Sequence, residues 1–161
     1  MTPMQSFPVR LDVIGTAVFA LAVAVAVPLR DERPIQVMII TVSLVLFAVG
    51  VFASLSAYVS ALERSRVHEI GVANLYLLTG DTAPKPVRRV LLALLSVQVV
   101  AALVGAGVGM SGLTGNELNA LAFGVLVPMF GIGMNGVWAA RYGSFGPRLP
   151  PRTKPSNRRI E

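Results

Sequence analysis

Four long stretches of this chain carry no charged residue, and they leave few architectures open. They cover 13–29, 37–62, 90–110 and 118–140, and the last block holds Asn119 and Asn135 as its polar members. A helix needs about 20 predominantly apolar residues to cross the hydrocarbon layer of a bilayer. A surface helix of a soluble protein has no use for such blocks, because one of its faces must stay polar. The expectation is an all-α polytopic integral membrane protein with spans at about 11–29, 37–60, 90–110 and 118–140. A loop over 61–89 joins the second and third spans, and a tail follows from 146 to 161. Composition agrees: 14% of residues are charged, against about 25% in soluble domains.

The first block has a rival reading. Arg10, an apolar core and Ala24-Val25-Ala26 imitate a secretory signal peptide, but Pro28 follows close behind the candidate cleavage position and the core is at the long limit of about 15 residues. A retained first helix is the expectation. Arg30-Asp31-Glu32-Arg33 forms a charge-neutral turn, and Pro34 suits the start of the next helix. Within 61–89, Val67, Ile70, Gly71 and Leu78 fall near one face, which suggests a cytoplasmic interfacial helix resting on the membrane. Gly80 is a stop signal, with Pro84 and Pro86 in the first turn of the third span. Pro128 should kink the fourth span, since its ring clashes with the carbonyl of Gly124 and it donates no hydrogen bond. Trp138, Arg141, Tyr142 and Phe145 read as an interfacial belt.

The chain has 14 basic residues and a formal charge of +6. With both termini cytoplasmic, all but Arg30 and Arg33 lie on the inner side, as the positive-inside rule demands. The basic surface comprises Arg64, Arg66, Arg88, Arg89, Arg148, Arg152, Arg158 and Arg159. Its natural partner is the anionic inner leaflet, at about 1 kcal/mol of attraction per residue near the surface. Because the charges cluster at the ends of apolar blocks, nucleic acid is not expected as a partner. The Pro-rich basic tail reads as disordered. There is no cysteine, so thiol and disulfide chemistry are absent.

Reactive motifs do not survive inspection. Gly107-Val108-Gly109-Met110-Ser111-Gly112 has the spacing of a dinucleotide fingerprint, but that mechanism needs a preceding strand and a following helix. Gly105 and Gly109, four apart, fit close helix packing instead. Gly109-Met110-Ser111-Gly112 resembles the G-x-S-G of rhomboid proteases, which need an intramembrane histidine; His68 stands alone in the loop. A single histidine is also a poor metal site, and no cofactor is expected. Asp12 has two readings. One is a proton or ion site, as expected of an intramembrane carboxylate. The other, the favoured one, is a residue of the helix's N-terminal turn, where the dipole suits a carboxylate and Arg64, Arg66 or Arg141 can pair with it. Gln98 and Pro128 both fall near mid-bilayer. There Gln98 can hydrogen-bond a carbonyl freed by the kink, or line a transport path beside Gly124, Gly131, Gly133 and Gly136.

Two resemblances bear on function. Glu63-Arg64-Ser65-Arg66-Val67-His68 resembles the basic Glu-Arg and histidine stretch of the MAPEG family, four-helix membrane enzymes that use glutathione. Here the histidine comes one position early and the following asparagine is missing. By layout, composition and the ending 138–148, the whole chain resembles small four-helix membrane proteins of actinobacteria, which implies a bacterial plasma membrane but no functional residues. The leading expectation is a non-enzymatic accessory or scaffolding subunit of a larger inner-membrane assembly, with a membrane-protein partner or a second copy. A small oligomeric transporter or channel is the first alternative, and a MAPEG-like enzyme the second.

Overall fold

The structure, a computed structural model, describes residues 6–66, 68–111 and 119–147. Five α-helices follow in order: α1 (Phe7–Ala26), α2 (Arg33–Arg64), α3 (Val72–Tyr76), α4 (Lys85–Met110) and α5 (Pro128–Tyr142). A 3₁₀ segment, Ala120–Leu126, leads into α5. Among the described residues there is no strand, only an isolated bridge between His68 and Pro147. Four units are long and apolar enough to cross a membrane: α1, α2, α4, and the 3₁₀ segment with α5 as Ala120–Tyr142.

Proline marks the start of each long helix. Pro8, Pro34, Pro86 and Pro128 all occupy a first helical turn, where a missing N–H costs nothing and the fixed φ is already helical. The expected spans therefore lengthen at their beginnings: α1 starts at Phe7, α2 at Arg33 and α4 at Lys85. At its far end α2 runs on to Arg64, past the apolar block, for a length of about 48 Å at 1.5 Å per residue.

Packing depends on close backbone approach, which small residues at helix crossings allow. Where α2 crosses α5, a β-carbon on Gly50 would stand 2.5 Å from the Phe130 nitrogen, and one on Gly133 would stand 3.0 Å from Ala53 Cβ. Apolar clusters flank this crossing. One gathers Val9, Leu75, Leu78, Val87, Leu91 and Trp138 at the α3 end; the other gathers Phe19, Val23, Ile39, Ala102 and Leu121 at the opposite end. The sides of α2 and α4 turned away from the bundle stay apolar and uncovered, with Phe52 at 76% and Leu103 at 61% exposure.

Several expectations change in detail. The segment between α2 and α4 contains a helix of only five residues, α3, and its Leu75 is buried in the α3-end cluster with Leu78. That helix ends at Tyr76, ahead of Gly80, and Leu78 takes the left-handed conformation (φ 53°). Trp138 is 1% exposed, so it is a core residue and not part of an interfacial belt. Tyr142, its ring 5.9 Å away, is exposed. Gly105 faces Val23 and Leu121 at ordinary contact distance, whereas a β-carbon on Gly109 would collide with the Asn119 side chain. Asn119 is held there by donating to the Ala106 carbonyl and accepting from Ala122 N.

Candidate functional site

The fourth span is broken, and the break creates the site. Pro128 has no N–H to offer, and the Gly124 carbonyl instead accepts from Val127 N at 3.0 Å. The Val127 carbonyl accepts from Phe130 N at 2.8 Å. Both are the short bonds of a 3₁₀ turn, so the chain tightens through the proline where a kinked α-helix was expected. The next N–H, that of Gly131, turns out of the helix and donates to Gln98 Oε1 of α4 at 3.1 Å. Only glycine permits this approach, since a β-carbon at position 131 would lie 2.7 Å from that oxygen.

Gln98 does more than complete the break. Its Nε2 donates to Asp12 Oδ1 at 3.0 Å and to Thr16 Oγ1 at 2.7 Å, both on α1. One side chain thus ties α1, α4 and α5 together. Its orientation is not arbitrary: the Gly131 N–H requires an acceptor, so the amide oxygen faces α5 and the two amide hydrogens face α1. The level is central. Thr16 is the tenth of 20 residues in α1 and Gln98 the fourteenth of 26 in α4; Gly131 is the twelfth of 23 in the fourth span.

Asp12 is therefore not a surface residue of a first helical turn. It is 0% exposed, bonded to the mid-span glutamine, and makes no ion pair with Arg64, Arg66 or Arg141. The single ion pair among the described residues joins Arg30 and Asp31 at 3.9 Å. The second carboxyl oxygen, Oδ2, finds no hydrogen-bond partner among the described residues. Six further buried atoms share that condition, among them Asn135 Oδ1 and Trp138 Nε1 on α5. Asn135 and Trp138 follow Gly131 at i+4 and i+7 on one face of that helix. Asp12 and Thr16 are the only polar side chains of α1 beyond Arg10 and stand four apart. That spacing puts them on one face, the sequence signal that could have placed them inward.

Gln98 thus reaches the break at Pro128 through Gly131, Gly124 lies within the break and faces Phe19, and Gly105 and Gly109 face Leu121 and Asn119 elsewhere. The basic residues divide. Arg64 donates from Nη1 to the Ala140 carbonyl at 2.6 Å and from Nη2 to the Gly143 carbonyl at 3.3 Å, and it lies 5.2 Å from the Phe145 ring centre. It closes the C-terminal end of α5, where orphan carbonyls and the dipole favour a cation. Arg30 does the same for α4 at the opposite end, donating to the Val108 carbonyl at 3.0 Å. Arg66 and Arg89 are exposed and Arg88 is half-buried. Arg148, Arg152, Arg158 and Arg159, with the expected disorder of the tail, lie outside the described residues.

Nothing in the loop gathers into a reactive group. His68 donates its backbone N–H to the Arg64 carbonyl, and Glu63 is exposed. Among the described residues no three His, Cys, Asp or Glu side chains cluster. The loop is tied to the bundle instead: Tyr76 donates its hydroxyl to the Ser54 carbonyl at 3.0 Å, and Asn135 Nδ2 donates to the Tyr76 carbonyl at 3.1 Å. Burial, helped by the neighbouring Tyr58, raises the Tyr76 hydroxyl above the ordinary tyrosine value. Between α2 and α3 runs an apolar cleft of about 50 Å³, lined by Tyr58, Leu62, Ile70, Val72 and Leu75 among others. No protein-family model matches the chain, and no curated protein or solved structure matches it either.

Proposed function

We propose that this is a small translocator of monovalent cations in a bacterial plasma membrane, with both termini cytoplasmic, working as an oligomer. What carries the reading is the carboxyl group of Asp12, fully buried and hydrogen-bonded to Gln98 beside a broken helix. Ionisable side chains inside membrane spans are costly and characteristically mark ion and proton pathways. Discontinuous helices at the midplane are a recurrent way to build such a site. Four spans enclose little space, so a pathway needs a second copy or a partner, and the uncovered apolar sides of α2 and α4 offer the surface for one.

The test is flux through the purified protein in liposomes under a clamped membrane potential, measured for H⁺, Na⁺ and K⁺. The expected result is flux of at least one of these ions, abolished by Gln98→Leu. Absence of flux for all three, or equal flux in the variant, refutes the reading. An accessory or scaffolding subunit of a larger inner-membrane assembly is the second reading, supported by the same exposed sides of α2 and α4. It predicts specific membrane partners in mild detergent, and a protein that purifies alone counts against it.

A further inference from the structure

We infer that the ligand of the mid-span site is a proton, bound at Asp12 Oδ2, and not a metal cation. The inference rests on the translocator reading, of which it names the ion.

The argument starts from Gln98. The Gly131 N–H holds the amide oxygen towards α5, which turns the NH₂ group to Asp12 Oδ1 and Thr16 Oγ1. A sodium or potassium ion needs several oxygen lone pairs converging on one point. Here the amide hydrogens take one lone pair of a carboxyl oxygen and one of the threonine oxygen, and the amide's own oxygen gives one to Gly131, so three of the four oxygens already point a lone pair at a donor. Recruiting Gln98 as a ligand would mean reversing the amide and setting its NH₂ against the Gly131 N–H, donor to donor. Asp12 Oδ2 is the one oxygen of the four with neither lone pair engaged, buried and without a partner among the described residues. One lone pair suffices for a proton. Binding converts the carboxylate to the neutral acid, and no other bond forms or breaks.

Residue type points the same way. As an acceptor for Gln98 alone, asparagine would serve without introducing a charge into the membrane interior. The neighbours supply no fixed counter-charge. α1 contributes Thr16 and, towards its start, the exposed Arg10. The ionisable residues of α4 are Lys85, Arg88 and Arg89 in its first turns, and those of α5 are Arg141 and Tyr142 at its end. α2 brings Arg33, Tyr58, Glu63 and Arg64, and α3 brings Tyr76; none has a hydrogen bond or ion pair to Asp12. The charge of this carboxyl is thus left for a proton to balance.

The test is infrared difference spectroscopy of the full-length protein in lipid vesicles, stepped in pH, with sodium or potassium varied at constant ionic strength. A protonated-carboxyl C=O band is expected to titrate with a midpoint indifferent to either cation. It should shift when aspartate is carbon-13 labelled and disappear in Asp12→Asn. The labelling keeps the assignment open to test if that variant fails to fold, because Asp31 and Asp81, the other aspartates, are exposed, which leaves Asp12 as the buried one. A midpoint that moves with sodium or potassium assigns a metal-cation site and overturns the inference, as does a labelled buried carboxyl that shows no titration. Flux is not needed for either outcome, so a protein that titrates without transporting refutes the function and leaves the proton site standing.

Discussion

Replacing Gln98 by methionine keeps the length of the side chain and removes all three hydrogen bonds that join α1, α4 and α5. Interhelical hydrogen bonds in membrane proteins average about 0.6 kcal/mol each and reach about 1.7, so simple loss predicts about 2 kcal/mol. The neighbours then decide where in the range the result falls. Thr16 can turn its hydroxyl to its own helix backbone and recover most of its share. The Gly131 N–H, held out of the helix by the break, cannot do so without reshaping the 3₁₀ turn. Asp12 loses the partner of Oδ1, while Oδ2 already has none among the described residues. Unsatisfied buried groups cost about 1–3 kcal/mol each, which raises the expected destabilisation to about 3 kcal/mol. Equilibrium unfolding in mixed dodecyl-maltoside and SDS micelles measures it, with the chain's single tryptophan, Trp138, 1% exposed, as the reporter. A methionine variant within about 0.5 kcal/mol of the parent, the span of an ordinary neutral substitution, would show that this junction does not hold the helices together.

Two further perturbations test other parts of the structure. Arg64→Met removes the donors to the Ala140 and Gly143 carbonyls and should cost about 1–2 kcal/mol, since the site is only part-buried and hydrogen bonds from charged groups contribute about 1.5–3 kcal/mol when shielded; faster hydrogen exchange confined to the end of α5 is the signature, and unchanged exchange there argues against the cap. The raised Tyr76 hydroxyl means the folded protein resists its ionisation, so its contribution to stability is complete below about pH 10, the unfolded value, and is lost as pH climbs through the folded one. Unfolding across that range should steepen in the parent relative to Tyr76→Phe, and identical profiles contradict the burial described.

Much of the fold can be read from residue types alone. Uncharged blocks long enough to span, prolines at helix starts and the break at Pro128 are local signals, and they sit where the helices begin and end. The partner of Gln98 is only half legible. A polar residue level with a proline break will find a freed backbone group, but which one depends on how the turn tightens. Here the Gly124 carbonyl is recovered locally and an N–H is left over. The inward placement of Asp12 is harder, because α1 is apolar nearly all round and its rotation about its own axis has little to orient it besides Asp12 and Thr16. The roles of Arg30 and Arg64 leave no trace at short range: each reaches a carbonyl more than 70 positions away.

Those two arginines stand at opposite ends of α2, one just before its start and the other its last residue. Each grips the closing turn of a helix from the second half of the chain. The first two helices therefore act as a gauge of fixed length against which α4 and α5 are set in height, one clamped at each end. Sliding one half past the other would break both grips at once. In the membrane setting proposed above, a bundle held this way would meet a thinner or thicker bilayer by tilting as one body, or by deforming the lipid around it, and the depth of Asp12, Gln98 and Gly131 relative to one another would stay constant.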